Sequence, residues 1–358
     1  MIFSSKIRQA IEDPPIRDTR AQMAFYPSSA SVKVIDPDLG VPTVIGSSSG
    51  CLRRQYYDIT GVPPTNYGSA EGALKMQMGS LIQALFEDKL KKAGLWMDSE
   101  VKMWNPTYKI SGRIDTWCWD PDALKRGDRV PLPIEFKSTG RFGEPGLITI
   151  SKGKVLPKGE HVCQVMSYLD FYSQWPEWYH GHPMRIVIIA VSRDSLSWRE
   201  HVVSLAGKGQ YGAPIKEDER YAVVRNETGT YQLKHITMAG IYTRFMEVGA
   251  YLRQKTEPPR DFELQYSNER IKKMADKGLM SKTNANKVAA SIKRDPKGTD
   301  RWLGKLDAPF GDWQCQYCSH RTKCWEGIDH TPKPLIRQEH PQVAQAKKAP
   351  IAEPLADL

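Results

Sequence analysis

The sequence has no apolar run long enough to cross a membrane. Among its 358 residues, the longest apolar stretches, such as residues 186–191, are about the length of a strand, whereas a membrane span needs about 20 apolar residues. The first fifteen residues carry charges early and contain no apolar core segment, so we expect no signal peptide. We therefore expect a cytoplasmic protein that does not associate with a membrane.

Acidic residues are outnumbered by basic ones. Lys and Arg total 51 and Asp and Glu total 41, which gives a formal net charge of +10. Such a surplus favours a polyanionic partner, most often a nucleic acid.

Cysteine is scarce, with six residues in the whole chain. That number excludes a disulfide-rich secreted fold, and clustered cysteines in a cytoplasmic chain indicate ligation of a metal or a cofactor. Cys315, Cys318 and Cys324 form such a cluster, while the others are scattered. With His320, the cluster matches a zinc site. With a fourth thiolate from elsewhere, it matches an iron–sulfur cluster.

Hydrophobic periodicity predicts an α/β fold with a mixed sheet flanked by helices. The predicted order is a helix over 70–94, strands over 100–104, 108–119 and 132–138, a helix over 161–175, and strands over 184–192 and 197–205. Residues 1–48 are expected to be loosely structured, and residues 140–159 are expected to form a loop. Helices are expected over 231–254, 267–277 and 281–293, and the proline-rich residues 331–358 are expected to be disordered. In the first helix, Leu74, Met78, Leu81 and Leu85 recur at helical spacing, backed by Ile82, Phe86 and Leu90.

Two predicted strands bring acidic residues together with a lysine. Asp115 alternates with the apolar residues of the predicted strand 108–119, and Glu135 and Lys137 share one side of the predicted strand 132–138. Two carboxylates on neighbouring strands are suited to a hard divalent cation such as Mg²⁺, and the Phe136 carbonyl offers a third oxygen. Lys137 would orient or deprotonate an attacking water. Asp122 is a rival for Asp115, but it lies in a segment typical of a turn.

Two predicted helices add polar residues to this candidate site. Gln164 and Tyr168 lie four residues apart and share a helix face, as do Gln83 and Glu87 on the earlier helix. Gln164 and Tyr168 would hydrogen-bond a phosphate or a base, and Gln83 and Glu87 would approach the metal. His161, one turn before Gln164, is a further candidate for a phosphate contact.

Taken in order, these motifs resemble the PD-(D/E)XK nucleases of the RecB type. The motifs are Gly79-x3-Gln83-x3-Glu87, Gly112-Arg113-Ile114-Asp115, Glu135-Phe136-Lys137 and Gln164-x3-Tyr168. The set is most similar to the CRISPR-associated RecB-like exonucleases and their phage relatives. Those enzymes carry a 4Fe–4S cluster held by one cysteine before the nuclease core and three after it. Cys51, in Cys51-x-Arg53-Arg54-x-Tyr56-Tyr57, and the late cysteine cluster match that pattern.

The resemblance implies a restriction-endonuclease-like fold and a metal-dependent DNA exonuclease acting on single-stranded DNA or DNA ends. Recombination, repair and phage DNA metabolism are the implied settings, with recombination or helicase proteins as partners and the host cytoplasm as location if the protein is viral. Three sets of residues follow. The catalytic set is Asp115, Glu135, Lys137, Gln164 and Tyr168. The Mg²⁺ or Mn²⁺ set is Asp115, Glu135, Phe136, Gln83 and Glu87. The cluster set is Cys51, Cys315, Cys318 and Cys324.

The resemblance also implies a division of the chain. An N-terminal segment (1–48) precedes a nuclease core (49–210), a helical extension that closes the iron–sulfur site (211–330) and a tail (331–358). Arg53 and Arg54 are candidate phosphate contacts beside the first cluster cysteine. The family usually has histidine where Gln83 stands, and a glutamine oxygen is a weaker metal ligand. A DNA-binding adaptor that has lost hydrolysis therefore stays open as the alternative function.

Overall fold

The strand Ile186–Ser192 lies near the middle of a seven-stranded sheet with all seven of its residues buried. A strand that is covered on both faces needs apolar residues at successive positions, and its Ile- and Val-rich sequence meets that need. The structure is a computed structural model. It describes residues 25–36, 38–66, 70–139, 148–151, 154–179, 182, 184–280, 282–294, 300–302 and 311–326.

The strands are numbered in chain order. They are β1 (Ser31–Ile35), β2 (Pro42–Gly46), β3 (Trp96–Asn105), β4 (Ile110–Trp119), β5 (Pro131–Thr139), β6 (Ile148–Ser151), β7 (Lys154–Pro157), β8 (Ile186–Ser192), β9 (Trp198–Ala206), β10 (Tyr221–Asn226), β11 (Gly229–Thr237), β12 (Ile292–Arg294) and β13 (Asp300–Trp302).

The α-helices are numbered in the same way. They are α1 (Leu52–Thr60), α2 (Ala70–Lys92), α3 (Pro121–Lys125), α4 (Gly159–Tyr172), α5 (Met238–Gln254), α6 (Asn268–Asp276), α7 (Lys282–Ser291), α8 (Trp313–Gln316) and α9 (Arg321–Cys324).

The main sheet has the strand order β11-β10-β9-β8-β5-β4-β3. The pair β5–β8 is parallel and the other neighbours are antiparallel, so the sheet is mixed. The β5–β8 connection contains α4, as a parallel pair requires a crossover. Helices flank the sheet: α4 and α5 contribute to the larger apolar cluster, with Ile186 and Ile188, and α2 contributes to a smaller one, with Val187 and Ile189. Alternate residues of β8 thus face opposite layers, which confirms the predicted mixed sheet flanked by helices.

The first long helix forms where periodicity predicts it, but it packs through the residues predicted to back the apolar face and not through the main ones. Leu74, Met78, Leu81 and Leu85 are all exposed, Leu81 to 64%. Ile82, Phe86 and Leu90 belong to the smaller apolar cluster instead. The helix ends at Lys92, and Gly94 adopts φ +69°, which suits glycine. Spacing alone leaves two candidate faces on this helix, and contact with the sheet selects one of them.

Three local expectations are wrong. Residues 231–237 are the second half of the β10–β11 hairpin rather than helix, and the helix begins only at Met238, where the Thr237 side chain accepts a hydrogen bond from the Gly240 amide. These strands extend the sheet beyond residue 210, where the predicted core ends. Residues 148–157, expected as loop, contain the β6–β7 hairpin. Residues 25–48, expected to be loosely structured, contain the β1–β2 hairpin and the buried Phe25.

Within the described ranges, no helix combines the length and the apolar character needed to cross a lipid bilayer. The predicted tail over 331–358 lies outside the described residues.

Candidate metal-dependent active site

The candidate site forms where β4 and β5 stop pairing. Their register runs from Trp119↔Pro131 to Thr116↔Ile134 and ends there. Beyond that point, the Phe136 backbone amide of β5 has no β4 carbonyl opposite it. This amide donates to the Asp115 side chain, at Oδ2, over 2.7 Å. The aspartate side chain therefore occupies the gap between the two strands and replaces a ladder hydrogen bond.

Glu135 and Lys137 meet in the same region. Lys137 Nζ lies 2.5 Å from Glu135 Oε1, and the Gln164 amide of α4 donates to that oxygen at 2.8 Å. Glu135 is 2% exposed, and its Oε2 is buried without a hydrogen-bond partner among the described residues. An unpaired buried carboxylate oxygen is costly, so this atom is suited to a ligand that the protein itself does not supply.

The charges around Asp115, Glu135 and Lys137 also favour the binding of a cation. Burial and the nearby Glu135 charge raise the pKa of Asp115 above its usual range. Burial lowers the pKa of Lys137, but the charges of Glu135 and Asp115 outweigh that effect and the net pKa is raised. Lys137 is therefore held as a cation, which is suited to orienting a water or a phosphate oxygen rather than to deprotonating a water.

Tyr168 reaches the same strands from α4 but uses its hydroxyl inside the protein. The hydroxyl donates to the Arg113 carbonyl oxygen at 2.6 Å, and the side chain is 3% exposed. Close packing explains the neighbouring glycine, because a Cβ at Gly112 would lie 3.3 Å from the Tyr168 ring and 2.7 Å from Pro27. Tyr168 therefore positions β4 against α4.

Gln83 and Glu87 of α2 bind each other beside β4. The Gln83 amide donates to Glu87 Oε1 at 2.9 Å and to the Asp115 backbone carbonyl at 3.3 Å. The Thr116 hydroxyl donates to the same Glu87 oxygen at 2.7 Å. Burial raises the pKa of Glu87, but these hydrogen bonds produce a net lowering, so Glu87 is an anion. Its role as a metal ligand, like those of Gln83 and the Phe136 carbonyl, stays a prediction.

Glu160 is a site residue that the sequence analysis missed. Its charge acts on Lys137, and burial raises the pKa of the Glu160 carboxyl. It precedes Gln164 by four residues, so the helical spacing that found Tyr168 would also have found it. His161 lies in the same turn. Burial, then the charges of Lys137 and Lys158, hold the pKa of His161 well below its usual range, and its Nδ1 has no hydrogen-bond partner among the described residues.

Asp115 and Glu135 provide the number of carboxylates that Mg²⁺ usually takes, which is one or two together with waters and phosphate oxygens. Among the described residues, no three His, Cys, Asp or Glu side chains lie together as a ready-made metal cage. The donor set therefore fits a cation that keeps part of its water shell, and the unpaired Glu135 Oε2 is the observation that supports the fit.

The four predicted cluster cysteines line one cavity, although 264 residues separate Cys51 from Cys315. None of the four forms a disulfide. Burial, followed by the charge of Asp261, raises the pKa of Cys51 to about 12, and burial and the charge of Cys51 raise the pKa of Cys315. Isolated thiolates are thus disfavoured here, and metal binding would have to displace the thiol protons.

Arginines surround the same cavity, which is also lined by Arg53, Arg54, Arg260 and Arg321. Arg53 donates to the Pro258 carbonyl at 2.7 Å, Arg54 to the Ser48 hydroxyl at 2.5 Å, and Arg260 to the Cys324 carbonyl at 3.0 Å through Nε. Guanidinium groups in this position would balance the negative charge of a thiolate-ligated group. A phosphate contact by Arg53 or Arg54 stays a prediction.

His320 keeps the zinc alternative open. Its Nε2 lies 2.9 Å from Asp58 Oδ1, and its Nδ1 is buried without a hydrogen-bond partner among the described residues. A histidine that ligates a metal commonly bonds a carboxylate through its other ring nitrogen. The four thiols and the imidazole thus line one cavity, but among the described residues they do not form a ready-made metal-binding group. The iron–sulfur cluster and its zinc alternative both stay predictions.

Comparisons with protein-family models, with curated proteins and with solved structures found no match to this chain.

Proposed function

We propose that this protein is a metal-dependent deoxyribonuclease of the PD-(D/E)XK kind with a restriction-endonuclease-like core. The proposed reaction is hydrolysis of a phosphodiester bond, in which a water oxygen joins phosphorus and one sugar oxygen leaves as an alcohol. The observation that supports it best is the meeting of Asp115, Glu135, Lys137 and Gln164 from three separate elements.

The chain's own residues have distinct roles in this proposal. Asp115 and Glu135 would hold Mg²⁺ or Mn²⁺, whose positive charge, when the ion is bound, activates water and offsets charge on the phosphate. Lys137 stays protonated and orients the nucleophilic water or a phosphate oxygen. Gln164 holds the Glu135 carboxylate in place, and Tyr168 holds β4 in register with α4.

We propose exonuclease activity on single-stranded DNA or DNA ends, in recombination, repair or phage DNA metabolism. The preference for DNA is supported by the net charge of +10. The exonuclease assignment and recombination or helicase partner proteins come from the resemblance. We further propose that the cysteine cavity holds a 4Fe–4S cluster with a structural role, because four free thiols and four arginines line it together.

End-labelled single- and double-stranded DNA incubated with Mg²⁺ and with Mn²⁺ tests the function. We expect the wild-type chain to digest at least one substrate and Lys137→Ala and Asp115→Ala to lose activity by about 100-fold or more, while still binding DNA. Asp122→Ala is the matched control, because Asp122 is an exposed acidic residue on the connection between β4 and β5. Equal digestion by wild type and both active-site variants would refute the assignment.

A DNA-binding adaptor with a nuclease fold is the second candidate. It is favoured by Gln83, which stands where the family usually has a metal-binding histidine. The Gln83 amide donates hydrogen bonds to Glu87 and to the Asp115 backbone carbonyl. DNA binding without cleavage in either metal would support the adaptor.

A further inference from the structure

Trp313 and Tyr317 form an exposed aromatic pair in the segment that carries the late cysteines. Trp313 is 39% exposed and Tyr317 is 76% exposed, and their ring centroids lie 6.5 Å apart. Across the described residues, the other exposed aromatic side chains are Trp104 and Trp198, and Trp198 packs edge-on against Phe86. We call Trp313 and Tyr317 the aromatic platform.

The platform is held in a defined place. Between its two residues, Gln314 donates to the Gly46 carbonyl at 3.0 Å and Cys315 is buried. Just before it, the Asp312 carboxylate accepts hydrogen bonds from the Glu263 amide at 2.7 Å and the Tyr266 hydroxyl at 2.6 Å. The exposed rings therefore stand on a backbone that the rest of the protein positions.

Contacts connect the platform to the start of α4. Lys158 Nζ lies 4.5 Å from the centre of the Trp313 ring and 3.5 Å from Glu160 Oε1 in the first turn of that helix. One turn further on, Gln164 donates to Glu135. The platform thus lies beside the first turn of α4, the helix that presents Gln164 to Glu135.

We propose that the aromatic platform is a base-stacking subsite for single-stranded DNA that leads to the catalytic strands. This inference rests on the proposed nuclease function and adds a substrate-binding site to it. Exposed aromatic rings stack on bases of any sequence, and adjacent cations follow the phosphates. Lys158 supplies a cation next to the Trp313 ring, and the exposed Arg321 follows Tyr317 by four residues along the chain. Tyr317, the more exposed ring, would receive a base first.

Binding of oligo-dT of about 20 nucleotides, measured without divalent metal so that no cleavage occurs, tests the platform. We expect Trp313→Ala and Tyr317→Ala each to weaken binding by about 10-fold or more, while Trp313→Phe and Tyr317→Phe stay near the wild-type affinity. An abasic strand of the same length should bind wild type and both alanine variants equally weakly, because it lacks bases to stack.

Trp198→Ala and Trp104→Ala are the matched controls, since each removes an exposed tryptophan elsewhere. Unchanged oligo-dT affinity in both platform alanine variants, or equal losses in the controls, would overturn the proposal. If Trp313→Ala disturbs the cysteine site, Tyr317→Ala alone decides, because its side chain is largely in solvent. Failure of the proposed function gives a different result: wild type would then cleave no DNA in either metal, whatever the binding data show.

Discussion

The Asp115 carboxylate accepts a hydrogen bond from the Phe136 backbone amide at 2.7 Å, at the point where the β4–β5 ladder ends. One residue thus does two things: it completes the hydrogen bonding of a separating strand pair, and it places a negative charge next to Glu135. Two carboxyl groups this close repel each other when both are ionised and no cation lies between them.

Asp115→Asn should stabilise the metal-free protein while abolishing cleavage. The folded state raises the pKa of Asp115 through burial and the Glu135 charge, so stability falls as pH rises from the usual aspartate range toward the raised pKa. The amide keeps an oxygen for Phe136 but removes the repulsion, so we expect a gain of about 1 kcal/mol at neutral pH. Thermal unfolding measures it. Mg²⁺ or Mn²⁺ should raise the Tm of wild type but not that of the variant, and the reverse pattern would contradict a cation at Asp115.

Gln83→His should raise the ratio of Mn²⁺-supported to Mg²⁺-supported cleavage severalfold. An imidazole nitrogen suits Mn²⁺ better than the harder Mg²⁺, and position 83 already lies within hydrogen-bond reach of Glu87 and the Asp115 backbone. Initial rates in each metal measure the ratio. Gln77→His, on an exposed position of the same helix, is the control, and an equal change in both variants would place residue 83 outside the metal site.

Cys318→Ser should remove bound iron, the visible absorbance of the cluster and a large part of the thermal stability. Cys318 shares its cavity with Cys51, so a cofactor bound there would join distant parts of the chain. Cys163→Ser, a buried cysteine on α4 outside the cavity, should keep both iron and colour. Anaerobic purification and metal analysis provide the measurement. A colourless protein with zinc that is lost in His320→Ala would instead assign the site to zinc.

Asp170→Ala should destabilise the fold by about 1–3 kcal/mol, because it leaves the buried Tyr242 hydroxyl and one guanidinium nitrogen of Arg220 without an acceptor, although Asp218 still pairs with Arg220. Asp170 is 1% exposed and accepts hydrogen bonds from Arg220 and from the Tyr242 hydroxyl. Chemical denaturation measures the loss. Asp122→Ala removes an exposed carboxylate that pairs with Lys125, so it should change stability by less than about 0.5 kcal/mol. Similar losses in the two variants would argue against the buried network.

Acid should destabilise the protein through His201. Burial and then Arg199 lower the pKa of His201 to about 4, and the side chain is 1% exposed. The unfolded chain takes up this proton near pH 6.5, so stability falls as pH drops from about 6.5 to 4, by up to roughly 3 kcal/mol. Unfolding curves at pH 7, 6 and 5 for wild type and His201→Gln check this expectation. The variant should lose less stability than wild type across that interval, and parallel losses would contradict it.

Sequence periodicity and spacing were sufficient for much of the fold. The strand at Ile186–Ser192, the helix bearing Gln164 and Tyr168, and the alternation around Glu135 all follow from local pattern. The α2 face and residues 231–237 could not be predicted in the same way. On α2, the pattern fits two helix faces, and packing against the sheet selects one of them. Over residues 231–237, the pattern fits either a helix or a strand, and pairing with β10 selects the strand.

The sequence by itself determined which groups are available: two carboxylates and a lysine on predicted strands, a helical Gln and Tyr pair, and cysteines at ligand spacing. The tertiary structure alone decided that Asp115 enters the gap beside Phe136 and that Glu160 acts on Lys137. The grouping of Cys51 with cysteines more than 260 residues away followed from the resemblance, and the structure places all four around one cavity. Spacing along a chain constrains contacts only within one element. Where strands diverge and where distant segments meet depends on how the layers pack, because burial of apolar surface is a property of the whole fold.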